Sequence, residues 1–323
     1  MTVHGNRLYL GDGSYFPSTH FLHAGSGSAR EQLYSHLYLS PDISDSDRSS
    51  IKQGLLDKGH NTIYIYTFNE NDYKDKSSGQ TYHITPYKDA LWGGDFDDNK
   101  LADWHQKMQA LLDAGLRPVL WLFPDDSPTI KNADTAELKR YINKMVQEFD
   151  DLPIMYVLAL EADEYWSSSR INELGEYLGS LTVRPVGLHQ LNGKADLMRG
   201  SWVDFGAYQY GFDKTWQDIY TDTLDKRDYI GAKPLIGAEY DLDDDFGSQQ
   251  RGLAAAFAWT AGVGNGAPVS LDEFMAALPD DMVPSRSGDT LCLQSGDVVA
   301  TADMNTLDYS KCEGCDNPCT AYG

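Results

Sequence analysis

Nowhere in its 323 residues does the chain run through the roughly 20 uninterrupted apolar residues that a membrane-crossing helix needs, so no membrane partner is expected. Basic residues are scarce as well. Against 49 Asp and Glu stand only 26 Lys and Arg, a formal net charge of -23. A surface of that sign repels nucleic acid and anionic lipid, which excludes both as primary partners. No G-x-G-x-x-G follows the first apolar run, and that removes the dinucleotide-binding reading. Met1 to Asn6 lack the basic-then-apolar order of a secretory leader. Cysteine is confined to the tail: Cys292, Cys312, Cys315 and Cys319 all fall in the last 32 residues. Their C-x2-C-x3-C ending would suit zinc, but the tail has no His, so disulfides are expected and, with them, a secreted or periplasmic location.

What the chain does have is aromatic surface and a repeating alternation. Seven Trp and 20 Tyr supply rings that either fill a core or stack on the C–H faces of sugars. Short apolar, β-branched or aromatic runs alternate with amphipathic helical stretches, the pattern of a parallel sheet with helical crossovers. The runs are Phe16 to Ala24, Thr62 to Thr67, Arg117 to Phe123, Ile154 to Leu160, Pro185 to His189, Phe205 to Tyr208, Pro234 to Ala238 and Ala261 to Gly266. Helices are expected over Asp47 to Lys58, Leu101 to Ala114, Thr135 to Phe149, Arg170 to Leu178, Trp216 to Asp225 and Gln249 to Thr260. Eight strands fit an α/β fold of the (β/α)8 TIM-barrel type better than an open doubly wound sheet. The barrel is expected over residues 1–285. Residues 286–323 would form a short cysteine-containing β appendage, with a hairpin over Thr290 to Ala302 turning at Ser295 and Gly296.

The long connection from Asn69 to Lys100 carries Tyr73, Tyr82, Tyr87 and Trp92, and its length and rings suit a functional loop. Asp95, Asp97 and Asn99 open like a calcium loop. Lys100 and Gln106 then occupy the places where such a loop needs Gly and Glu, which leaves a helix N-cap as the reading. No metal and no cofactor are expected.

Active sites of this architecture form at the C-terminal ends of the strands, so the residues following each apolar run are the candidates. They are His23; Tyr66 and Asn69; Trp121, Asp125 and Asp126; Glu161, Asp163 and Glu164; His189, Gln190 and Asn192; Tyr208 and Gln209; and Glu239 with Tyr240. Glu161 follows the fourth run directly and Glu239 the seventh, so two carboxylates should share one mouth. Two carboxylates so placed suit glycoside hydrolysis, which needs one group to protonate the leaving oxygen and another to attack the anomeric carbon or activate water.

A Glu after strand four and a Glu after strand seven resemble the clan A glycoside hydrolases. Within the clan, LALEADEYW (158–166), PVGLHQLNG (185–193), VDFGAYQYGF (203–212) and PLIGAEYD (234–241) resemble the apiosidase-like family, over residues 60 to 266 or thereabouts. The resemblance implies a retaining hydrolase of a poly- or oligosaccharide, with Glu161 as acid/base and Glu239 as nucleophile. His23, Tyr66, Trp121, Asp125, His189, Gln190, Asn192, Tyr208, Gln209 and Tyr240 would contact the sugar. One departure stands out: many clan members carry Asn immediately before the acid/base, and this chain has Leu160. That leaves the contact to the sugar's 2-hydroxyl with His189 or Asn192, and keeps Asp163 and Glu164 open as the acid. Two other functions compete, a non-catalytic glycan-binding barrel and a polysaccharide lyase. The acidic mouth argues against a lyase's uronate substrate.

Overall fold

The computed structural model describes residues 1–19 and 35–239, except 6, 12, 16, 18, 58–59, 75–80, 90–91, 125–126, 192, 211–221, 223–224 and 232, and beyond them the strands at 262–263, 283–287, 290–295 and 298–303. The chain opens with an antiparallel meander of β1 (Thr2–His4), β2 (Arg7–Leu10) and β3 (Gly13–Tyr15). Strands of three or four residues leave too little periodicity to be read from sequence. Helix α1 (Asp45–Asp57) then leads into β4 (Thr62–Tyr66), and the long connection after β4 folds into a hairpin, β5 (Asn69–Lys74) with β6 (Thr81–Ile84).

From there the alternation is regular. Helix α2 (Asp98–Asp113) precedes β7 (Arg117–Phe123); α3 (Pro128–Asn132) and α4 (Thr135–Phe149) precede β8 (Met155–Ala159); α5 (Ala162–Tyr165) and α6 (Ser168–Leu181) precede β9 (Val186–His189). Strands β10 (Phe205–Gln209), β11 (Leu235–Glu239) and β12 (Gly262–Val263) complete a seven-stranded parallel sheet in the order β12-β11-β10-β9-β8-β7-β4. Residues 225–230 are helical between β10 and β11. The expected first strand at Phe16 to Ala24 lies outside the described residues apart from Pro17 and Thr19, as does the expected helix Gln249 to Thr260. A separate antiparallel sheet of β13 (Val283–Ser287), β14 (Thr290–Ser295) and β15 (Val298–Asp303) follows, with Ser295 opposite Val298. Its first strand straddles the boundary expected at residue 285. Cys312, Cys315 and Cys319 lie outside the described residues.

Local chemistry accounts for the helices. The Asp97 side chain accepts the amide protons of Asn99 and Lys100, both at 3.1 Å, so the D-x-D-x-N run is a helix cap. Asp134 caps α4 through the Glu137 amide at 2.7 Å, and Ser167 caps α6 through that of Arg170. In α4 the buried residues Leu138, Tyr141, Ile142, Met145, Val146 and Phe149 recur at helical spacing and face the sheet. Strands β4 and β8 are buried at every position, as expected of parallel strands covered on both faces. The meander docks at the N-terminal end of the sheet: the Tyr15 hydroxyl lies 2.7 Å from Thr62 Oγ1 and donates to the Asn61 carbonyl, and the Arg117 guanidinium sits over the Tyr15 ring. The opposite, C-terminal end is left for the site. Among the described residues no helix is long and apolar enough to cross a membrane.

Candidate active site

Strand registers sort the candidates into two faces. Tyr66 pairs with Trp121, Trp121 with Val157, Val157 with Gly187 and Gly187 with Phe205. Side chains alternate along a strand, so His189, Ala207 and Gln209 share this face. It is the concave one. The rings of Trp121 on β7 and His189 on β9 approach to 5.4 Å although β8 runs between them, and only inward curvature brings side chains two strands apart so close. The other face carries the helical layer: a Cβ on Gly206 would come within 2.7 Å of the Met198 sulfur and 3.6 Å of Ile230.

Parity decides which strand-end residues can reach a ligand. Gln190 follows His189 and turns the other way. Its amide donates to Asp196 Oδ1 and accepts from the Leu197 amide, both at 2.9 Å, so both ends are used inside the fold. Tyr208 likewise faces the helices: its hydroxyl donates to Asp222 at 2.7 Å and Lys226 lies over its ring. Neither supports the expected sugar contact. Tyr66, Trp121, His189 and Gln209 remain on the concave face, each 3% exposed or less. A register shift between Tyr208 and Gln209 sets Gln209 opposite Glu239, which brings the backbone of Glu239 to the same end of the sheet. His23, Asp125, Asn192 and Tyr240 lie outside the described residues.

On the concave face Trp121 Nε1, a donor, and Gln209 Oε1, an acceptor, are buried and make no hydrogen bond among the described residues. Burying an amide or indole N–H unmet costs about 1–3 kcal/mol, so such groups point to a ligand. His36, which the sequence reading passed over, packs on Tyr66 with ring centroids 4.5 Å apart and is 1% exposed. Its one sequence signal is a histidine inside the apolar run Leu33 to Leu39. Burial pushes the pKa of both His36 and His189 down to about 3, so both rings are neutral at physiological pH. Among the described residues no cluster of His, Cys, Asp and Glu could hold a metal ion.

Glu161 sits immediately beyond β8 with φ 43° and ψ 43°, the left-handed region, and is the one non-glycine residue with positive φ among those described. A side chain there costs about 1–3 kcal/mol, and such residues cluster at functional sites. Its amide donates to His189 Nδ1 at 3.1 Å, and its carbonyl accepts from Glu164 at 2.9 Å. The neighbouring acids are otherwise engaged. Asp163 accepts the Leu191 amide at 2.8 Å and pairs with Lys194 at 2.9 Å, clamping α5 to the loop after β9, whereas the Glu164 side chain is exposed. Leu160 has its carbonyl held by the Tyr165 hydroxyl at 3.0 Å, a hydroxyl shared with Pro124 O on the neighbouring strand end at 3.1 Å.

No protein-family model and no curated protein sequence matches the chain. Solved structures do. A Bacteroides vulgatus protein described as a glycoside hydrolase superposes with a TM-score of 0.61 at 13% identity, over 91% of this chain and 66% of that one. A family 5 glycoside hydrolase from the same organism gives 0.60 at 12% identity, over 90% and 76%. An exo-β-1,4-mannosidase from an Opitutaceae bacterium gives 0.56 at 11%, over 82% and 54%. The chain has the fold of the barrel glycoside hydrolases. It spans about two thirds of the first of these proteins and about half of the mannosidase. At such identities the likeness carries the fold alone, so the chemistry must be argued from the site.

Proposed function

We propose that the chain is a retaining glycoside hydrolase acting on a poly- or oligosaccharide, with Glu161 as acid/base and Glu239 as nucleophile. The observation that carries the reading is the strained turn at Glu161, held at the C-terminal end of β8 in a fold shared with glycoside hydrolases. Asp163 is the weaker candidate for the acid because both its oxygens already accept hydrogen bonds that tie α5 to the next loop. In the forward step Glu161 gives its proton to the departing glycosidic oxygen while Glu239 attacks the anomeric carbon. Water, deprotonated by Glu161, then releases the glycosyl-enzyme with net retention. Trp121 and Tyr66 line the concave face towards the C-terminal strand ends, where Trp121 Nε1 with Gln209 Oε1 would supply one donor and one acceptor to sugar hydroxyls. The placing of LALEADEYW and PLIGAEYD supports an affinity with the apiosidase-like branch of the clan.

The test is hydrolysis of a panel of plant, algal and microbial polysaccharides, with the anomeric configuration of the first product followed by NMR. Retention and a carboxyl separation of about 5 to 5.5 Å are expected, whereas inversion and about 6.5 to 9.5 Å would displace the nucleophile role of Glu239. A second reading rests on Leu160 in the place of the clan's Asn: a barrel that binds glycans without cleaving them. Binding by the wild type with no cleavage on the whole panel, and equal binding by Glu239→Gln, would establish that reading instead.

A further inference from the structure

Glu161, two residues past the end of β8, and His189, the last residue of β9, stand 28 residues apart, and one hydrogen bond joins the backbone of the first to the ring of the second. We propose that His189 is the positioning residue for Glu161: Nδ1 accepts the Glu161 amide proton, pins the left-handed turn that presents the carboxylate, and thereby fixes the imidazole as the tautomer protonated on Nε2. The inference rests on the reading of Glu161 as the acid/base and deepens it.

Three observations support it independently. A backbone amide can only donate, so the ring nitrogen 3.1 Å from it must carry a lone pair, and in a neutral ring the proton then resides on Nε2. Nor is the ring free to reorient, being fully buried and seated against Trp121 at 5.4 Å with a 59° tilt. Thirdly, a left-handed glutamate persists only where its surroundings over-determine it. Beside that bond, the Leu160 amide donates to Phe123 O at 3.0 Å, the Tyr165 hydroxyl holds the Leu160 carbonyl and the Glu161 carbonyl accepts from Glu164. None of these reaches the Glu161 amide. Burial keeps the ring uncharged, with the Asp163 carboxylate offsetting only part of that effect, so Nδ1 stays an acceptor at neutral pH.

The outcome is an imidazole with a divided task. Its Nδ1 edge holds the backbone that aims the acid, and its Nε2–H is a donor on the concave face beside Trp121. The constraint on the turn thus comes from the neighbouring strand.

Two variants of the full chain separate the idea from simple loss of packing. His189→Asn keeps an acceptor oxygen in the place of Nδ1, whereas His189→Leu keeps volume and loses the acceptor. With a cleaved substrate, His189→Leu should lose about 100-fold in kcat with KM little changed, the expected scale for a misplaced catalytic group, and His189→Asn should recover to within about tenfold of wild type. Thermal unfolding of both shows that they fold. Heteronuclear NMR of the imidazole nitrogens in the wild type should show a bare Nδ1 and a protonated Nε2 at neutral pH, and the Glu161 amide should exchange with solvent faster in His189→Leu than in His189→Asn. Proton on Nδ1, an imidazolium, equal exchange in the two variants, or an undiminished kcat in His189→Leu would each overturn the proposal. Should the wild type cleave no glycan, the acid/base reading falls, and the NMR and exchange results alone decide whether His189 holds the turn.

Discussion

Replacing Glu161 by glycine should make the protein more stable than replacing it by alanine, while both changes abolish glycoside cleavage. At φ 43° and ψ 43° the Cβ of any L-residue crowds its own backbone, at a cost of about 1–2 kcal/mol. Alanine keeps that Cβ and glycine lacks it. Glycine also gains freedom in the unfolded chain, worth about 0.4–1 kcal/mol against folding. The difference leaves Glu161→Gly ahead of Glu161→Ala by about 0.5–1 kcal/mol. Both variants lose the same carboxylate contacts and keep the amide that donates to His189, so those contributions cancel in the comparison. In an ordinary right-handed helical site the order is reversed, with glycine about 0.5–1 kcal/mol the less stable. The sign is therefore diagnostic. Urea unfolding of the two variants, with matched slopes, measures it, and thermal unfolding should differ by about 2 °C. Equal midpoints, or alanine the more stable, would refute the claim that the turn is strained and that strain is kept for function.

Other consequences can be measured in the same way. A Cβ on Gly187 would lie 2.4 Å from the Phe205 ring, so Gly187→Ala should cost about 1–3 kcal/mol in unfolding, and much of that should return in the double variant with Phe205→Leu. Asp163→Ala strands the Leu191 amide and should cost about 1–2 kcal/mol, yet keep kcat within about tenfold, whereas Glu161→Gln should lose about 100-fold or more. Trp121→Phe keeps the ring face and deletes the N–H, so KM should rise by about tenfold with little change in kcat. His36 and His189 are held neutral in the fold to about pH 3, while the unfolded chain takes up protons from about 6.5. Their contribution is therefore complete above pH 6.5 and lost as the pH falls towards 3, at about 2 kcal/mol each by pH 5. His36→Leu should flatten that acid limb by the same amount in a pH series of urea unfolding curves.

How much of this could be read from residues alone follows from which periodicities the chain displays. TIYIY and RPVLWLF are apolar or aromatic at every position after the first because helices and a packed interior cover both faces of a parallel strand, and the structure places strands there with bounds that differ by a residue at most. The helices after them announce themselves by spacing and caps, Asp97 among them. The meander at residues 2–15 and the hairpin inside the 69–100 connection do not, because their strands are short and their pairing partners are set by contacts no local window contains.

For the site, adjacency to a strand end is a coarse filter, and the alternation of side chains is the finer one. His189 and Gln190 are equally adjacent to the end of β9, but only one can face inward. The same holds for Tyr208 and Gln209 on β10. Sequence cannot tell which member of each pair is inside, because LHQL and AYQY each offer a polar side chain to both faces. Gly187 and Gly206 settle it, one making room for Phe205 within the sheet's curve and the other for Met198 beneath the helical layer. Once parity is fixed from these two glycines, Gln190 and Tyr208, which face the helices, are seen to have protein partners, whereas Trp121 Nε1 and Gln209 Oε1 on the concave face have none among the described residues. Such a division is what a ligand site requires, since polar atoms already satisfied within the fold have nothing to offer a sugar.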